Sequence, residues 1–265
     1  EYARSQEYLK ENTRFAYITS AFDLFIILLM IFLGVFNTID LWVRGFEFSP
    51  IITGLLFFGV LFFIQDIIGT PFSLYRTFII EEKFGFNKTS PKTYLIDKIK
   101  GYFLLIVFGG LILSLVLFFF ESFGYFAWLY AWVILSSFLV LIQPLFTLFI
   151  APMFNTFTSL EDGELKDRIN AFAHSVNFPI SRIDVMDGSR RSSKANAYFS
   201  GLGKNKRIAL FDTLIEKHSI DELVSIIAHE IGHYKRKHNI KGIVLGVFQT
   251  GIMFFLLSLF LNNLE

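Results

Sequence analysis

The sequence contains no cysteine, which excludes disulfides and thiol chemistry and leaves the redox compartment open. Charge is scarce as well. Only 18% of residues are Asp, Glu, Lys or Arg, against about 25% in ordinary soluble domains. The net charge is +1, so there is no basic excess to suit nucleic acid. No signal-peptide pattern opens the chain, and Glu1 is not an initiator Met, so the N-terminus is expected to be incomplete. What fills the space left by charge is apolar: 54% hydrophobic residues, 35 Phe, and a mean hydropathy of +0.55. That composition predicts a polytopic membrane protein.

Apolar stretches at about 18–36, 51–79, 101–120, 124–150 and 243–261 each come near the roughly 20 residues that cross a bilayer as a helix. Buried helices of a soluble core are the competing reading. Runs such as Phe25 to Phe36 carry no charge and leave no polar face for water, which argues against it. The expected plan is a membrane domain over 1–150 with four helices, an aqueous domain over 151–240, and a further transmembrane helix over 241–265 that continues past the given residues. Lys and Arg gather before the first span, in the 80–100 loop and in the aqueous domain, while the first connection holds only Arg44. The positive-inside rule then puts those three segments in the cytoplasm.

Asp23, Gln65, Asp66 and Gln143 fall in or at the edges of the spans. An unpaired charge facing lipid is costly, so an orientation toward protein or water is expected, with simple helix-packing roles as the alternative. Pro71 and Pro144 predict kinks in their helices.

Residues 151–240 return to soluble composition. Leu165, Ile169, Phe172, Ala173 and Val176 mark an amphipathic helix, expected to open at the Ser159-x-x-Asp162 box. Strands are predicted around Ile183 to Val185, over Ala195 to Ser200 and over Arg207 to Phe211, with a turn at 201–205. A second helix begins at the capping box Ser219-Ile220-Asp221-Glu222 and shows an apolar stripe of Leu223, Ile226, Ile227 and Ile231. Gly232 interrupts it, which suggests close packing there.

That helix carries His229-Glu230-Ile231-Gly232-His233, the pattern H-E-x-x-H. Histidines four residues apart share one helical face and can hold one Zn²⁺, while Glu230 is placed as general base toward a water that the metal acidifies. A chance pair of histidines on a surface helix is the bland alternative. A strand unit leading into a metal helix also suits proteases that hold a peptide as an added strand, with Asn196, Ala197 and Tyr198 as the aligning edge; the same hairpin reads equally well as scaffold.

Five further stretches carry a resemblance: Glu81 to Asn87 (EEKFGFN), Ala151 to Asn155 (APMFN), Gly188 to Ser193 (GSRRSS), Asn196 to Phe199 (NAYF), and Lys206 to Leu214 (KRIALFDTL). Together with H-E-x-x-H they resemble the type I CAAX prenyl endopeptidases along nearly the whole chain. The resemblance implies a mainly α fold, a barrel of transmembrane helices enclosing a chamber, with a small α+β zinc-metalloprotease domain on the cytoplasmic side. It implies removal of the aaX tripeptide from prenylated CaaX proteins, His229 and His233 as zinc ligands, Glu230 as catalytic base, and a substrate groove lined by Asn196, Ala197 and Tyr198. Expected partners are peptide or protein substrates and the lipid bilayer.

Two departures stand out. Lys194 occupies a position where many members have His. The family's third ligand, a Glu on a later helix, has no counterpart: the only carboxylate after Glu230 is Glu265, about 28 Å of helix beyond the motif. His238 lacks the spacing of an extended zinc motif. A chain truncated at both ends is therefore expected. Other readings are a membrane quality-control zinc protease and a non-catalytic membrane scaffold with a relic motif. Composition leans toward a bacterial inner membrane, with the endoplasmic reticulum as the alternative.

Overall fold

The computed structural model describes residues 2–178, 180–200 and 206–261. It divides into two compact units, residues 1–88 with 109–118, and residues 89–108 with 119–265.

The first unit is helical. Helix α1 (Tyr2–Phe32) starts well before its apolar run, because the Glu, Lys and Arg of its first turns favour helix as much as the later Ile and Leu do. Gly34, at φ 66°, adopts a left-handed conformation that reverses the chain into the short helix α2 (Val35–Arg44). Helix α3 (Pro50–Tyr75) then runs on through a π-turn, Arg76–Glu81. The loop after it closes on itself, with Phe86 N–H donating to the Glu81 carbonyl at 2.8 Å and Gly85 left-handed at φ 75°. The polar start of α1 clamps this loop. Arg4 donates to the Phe84 carbonyl at 2.9 Å, the Tyr8 hydroxyl to Glu81, and Lys83 pairs with Glu11 at 2.6 Å.

In the second unit, Ser90 caps helix α4 (Pro91–Leu104) by accepting from Thr93 N–H at 3.1 Å. A π-turn at Leu105–Gly109 carries it into α5 (Gly110–Ser122), whose first nine residues belong to the first unit. Helix α6 (Ala127–Leu145) continues through a π-turn at Phe146–Ile150 into the single turn α7 (Ala151–Phe154). Pro71 and Pro144 both sit inside continuous helix, and a π-turn follows each within five residues. Of the polar residues in the spans, Asp23 and Asp66 are half-buried, Gln65 and Gln143 exposed. The Thr70 hydroxyl donates to the Asp66 carbonyl at 2.6 Å.

A four-stranded mixed sheet follows, in the order β1-β2-β4-β3. Strand β1 (Phe157–Ser159) pairs antiparallel with β2 (Arg182–Met186), β2 parallel with β4 (Arg207–Phe211), and β4 antiparallel with β3 (Ala197–Ser200). Strand β1 was absent from the sequence reading, and it corrects one expectation: Ser159 belongs to the sheet and does not cap a helix. Helix α8 (Glu164–Ser175) starts instead after Gly163, with Glu164 and Asp167 in its first turn. One sheet face, carrying Ile183, Ala197, Ile208 and Leu210, packs with Ile169 of α8 and with Leu223, Ile227 and Ile231 of α10 (Ile220–Lys235). The expected turn at 201–205 and Glu265 lie outside the described residues.

Helix α9 (Asp212–Lys217) bridges β4 to α10, and α11 (His238–Leu261) follows α10. Trp132 of α6 donates to the Val247 carbonyl of α11 at 2.8 Å. Among the described residues five helical segments, Tyr2–Phe32, Pro50–Glu81, Pro91–Ser122, Gly124–Phe154 and His238–Phe260, are long and apolar enough to cross a membrane.

Candidate active site

Helix α10 begins at Ser219 with both halves of a capping box: its hydroxyl accepts from Glu222 N–H, and the Glu222 carboxylate accepts from Ser219 N–H at 2.8 Å. The Ser219 N–H and hydroxyl, both donating to the Glu222 carboxylate, hold it below its ordinary pKa. With Leu223, Ile227 and Ile231 buried on one face, the opposite side presents His229 and His233 to solvent and leaves Glu230 half-buried between them. Gly232 has open space where a side chain would stand, so the expected close packing at that glycine is absent.

The Nε2 atoms of His229 and His233 lie 2.9 Å apart. Two nitrogens at about 2.0 Å from one tetrahedral ion would be separated by about 3.3 Å, so the pair fits a shared metal with a small adjustment. Among the described residues, no group of three His, Cys, Asp or Glu forms a metal cluster. His238 approaches from the other side: its Nδ1 is 2.8 Å from Nδ1 of His233, on the ring edge away from His229.

Beside α10 stands β3, the sheet's edge. Ala197 is buried in the core shared with α10, so only its backbone can meet a ligand. Asn196 is exposed, its side-chain oxygen accepts from Ala197 N–H at 2.9 Å, and its carbonyl accepts from Phe211 N–H at 3.0 Å. Tyr198 points to the other sheet face, and burial pushes its phenol pKa up.

The loop before β3 is held from several directions. Arg191 makes a two-pronged ion pair with Asp97 of α4, at 2.7 and 2.9 Å, and donates to Asn155 at 3.0 Å. The Asp97 hydrogen bonds raise its guanidinium pKa further. Asp212 accepts from Ser189 N–H at 2.8 Å, and Thr213 donates to the Lys194 carbonyl at 2.9 Å. Gly188 is required by space: a Cβ there would stand 2.4 Å from the Phe211 ring. Sequence reasoning quoted Gly188, Arg191, Asn155 and Asp212 within motifs and assigned them no role; their bonding partners lie in distant segments, which no local pattern reveals.

Residues 1–156 match the family model described as CAAX prenyl protease N-terminal, five membrane helices, and residues 159–264 match that of peptidase family M48. The chain is 42% identical over 223 residues to CAAX prenyl protease 1 of Saccharomyces cerevisiae, covering 83% of this chain and 49% of that protein. It is 35% identical over 254 residues to a CAAX prenyl protease 1 homolog of Oryza sativa, covering 92% and 59%. The crystal structure of S. mikatae Ste24p superposes with a TM-score of 0.90 at 37% identity, covering 95% of this chain and 60% of that one. The chain belongs to peptidase family M48. It spans about half to three-fifths of the length of these M48 relatives. Its fold is the mainly α membrane type of the solved relative, with a small α+β segment, and the chain is a multi-pass integral membrane protein. Lys194 is exposed, and its carbonyl, which any residue would supply, makes the bond to Thr213.

Proposed function

We propose that this protein is a membrane zinc metalloendopeptidase that removes the aaX tripeptide from prenylated CaaX proteins. The observation that carries the reading is the convergence of His229 and His233 on one exposed face of α10, next to an edge strand. A bound zinc ion would supply the Lewis acidity that makes water a nucleophile near neutral pH. His229 and His233 would hold it through Nε2. Glu230 takes the proton of the attacking water and returns it to the leaving amide nitrogen. The backbone of Asn196 to Tyr198 aligns the peptide as an added strand. The reading needs a third protein ligand besides the two histidines.

Residues 1–150 act as the membrane domain and 151–240 as the protease domain on the cytoplasmic side. The bonds of Asp97 and Thr89 to Arg191 support this reading, since they join the basic segment 89–100 to the protease segment. Yeast and rice relatives weigh toward a eukaryotic endoplasmic reticulum membrane and against the bacterial leaning of the composition.

The test uses full-length protein, a farnesylated CaaX peptide and its unmodified twin, with and without chelator. Zinc is expected near one per chain, cleavage should favour the farnesylated peptide, and Glu230→Gln should keep the metal while lowering kcat about 10²- to 10⁴-fold. Unchanged cleavage in that variant overturns the assignment. Equal cleavage of both peptides would point to the quality-control reading.

A further inference from the structure

A cleft of about 210 Å³ lies where the end of α8 meets the junction of α10 and α11, and the peptidase reading makes no use of it. Lys206 lines it although only 9% exposed. Its ammonium sits over two rings, 4.1 Å from the centroid of Phe178 and 4.4 Å from that of Tyr234. Among the described residues no carboxylate lines the cleft. Burying an ammonium without a counterion is costly, and ring faces return only part of what water gave. Burial and the neighbouring charge of Lys235 accordingly push the Lys206 pKa down.

The surroundings add positive charge. Lys235 and Lys237 line the same space, with Asn177 and Asn239. Asn239 and Ile240 stand in the first turn of α11, whose free N–H groups and dipole favour an anion. Beyond that turn, Val244, Leu245 and Phe248 are exposed on a helix long enough to cross a bilayer. An anion in the cleft would therefore sit at the level of lipid headgroups.

We propose that this cleft binds a phosphate group, presented by an acidic phospholipid headgroup beside the start of α11. Three lysines suit a multiply charged phosphate ester, and basic pockets flanking a span are where such headgroups collect. The inference does not depend on peptidase activity.

Full-length protein in detergent is incubated with dioctanoyl phosphatidic acid, dioctanoyl phosphatidylcholine or inorganic phosphate, and retention is read by native mass spectrometry alongside the unfolding temperature. Phosphatidic acid should be retained about tenfold better than phosphatidylcholine, and it should raise the unfolding temperature. Lys206→Met and Lys237→Gln should each lower retention about fivefold. Lys237 is exposed, so its variant decides the matter if Lys206→Met fails to fold. Equal retention of the two lipids, or unchanged retention in both variants, overturns the proposal. Inorganic phosphate matching phosphatidic acid would assign the site to the free ion and overturn the lipid source. Displacement of phosphatidic acid by a CaaX peptide with a free C-terminus, but not by its amidated form, would make it a substrate carboxylate site and overturn the proposal as well.

Discussion

His233 shows what spacing can and cannot specify for a single residue. For its Nε2 lone pair to face His229, its Nδ1 must carry the proton, and Nδ1 of His238 must accept it at 2.8 Å. In a continuous helix a residue five positions on lies about 140° around the axis, so helical spacing offers no reason to pair the two. The turn between α10 and α11 changes that. Lys237 is left-handed at φ 55°, and it swings His238 back toward His233. By contrast, H-E-x-x-H needed nothing but helical period to be read correctly as a shared face. His238 is thus a positioning residue for the metal reading, since partners of this kind orient a ligand imidazole. His238→Ala is expected to weaken zinc affinity of the full-length protein about 10- to 100-fold in a chelator competition, with His238→Gln, whose amide oxygen can still accept a hydrogen bond, falling less. Unchanged affinity in His238→Ala would remove the orienting role.

Elements were legible where the side-chain period was long and undisturbed. The stripe of α10 and the strands β2 and β4 followed from periodicity, and Ser219 from a capping box that the fold contains in full. Strand β1 was missed because three residues hold too little alternation to register, and Ser159 with Asp162 imitates a helix start. Its pairing with β2 puts Ser159 opposite Asp184, the charged centre of the sheet's second face. Asp184 is fully buried and accepts from Arg182 Nε at 2.6 Å and from Arg207 Nε. Arg207 in turn covers the Phe157 ring, 4.3 Å from its centroid. Removing the carboxylate would strand Arg207, whose side chain is only 18% exposed, while Arg182 is half in water and would lose little. Asp184→Ala should therefore cost about 3 kcal/mol in denaturant unfolding, and Arg182→Ala less than about 1 kcal/mol. Equal losses from the two would show that the sheet does not depend on the buried pair.

At the scale of the molecule, hydropathy located the apolar middle of every span and several ends, Gly124 and Leu261 among them, but not where the helices of the first and third spans begin. Helix forms wherever its backbone bonds are favourable, whether or not the side chains belong in lipid, so the span expected at 101–120 begins as helix at Pro91. Its first turns do other work. Asp97 grips Arg191, Thr89 donates to the Arg191 carbonyl at 3.1 Å, and Lys100 donates to the Met153 carbonyl, so a membrane helix, the end of α7 and the loop leading to the edge strand are fastened at one place. The pair is one-fifth exposed on both sides, between the surface and buried limits. Arg191→Ala and Asp97→Ala should each cost about 1–3 kcal/mol in unfolding experiments in detergent, and the double variant should cost little more than either alone. Arg191→Lys should recover only a small part, because a single ammonium cannot form the two-pronged pair. The loop ends at Asn196 to Tyr198, so in the proposed reaction these variants should raise KM for the peptide more than they lower kcat. Additive losses in the double-mutant cycle would separate Arg191 from Asp97, and the loop before the edge strand would then have to depend on other bonds, those of Asp212 and Thr213 among them.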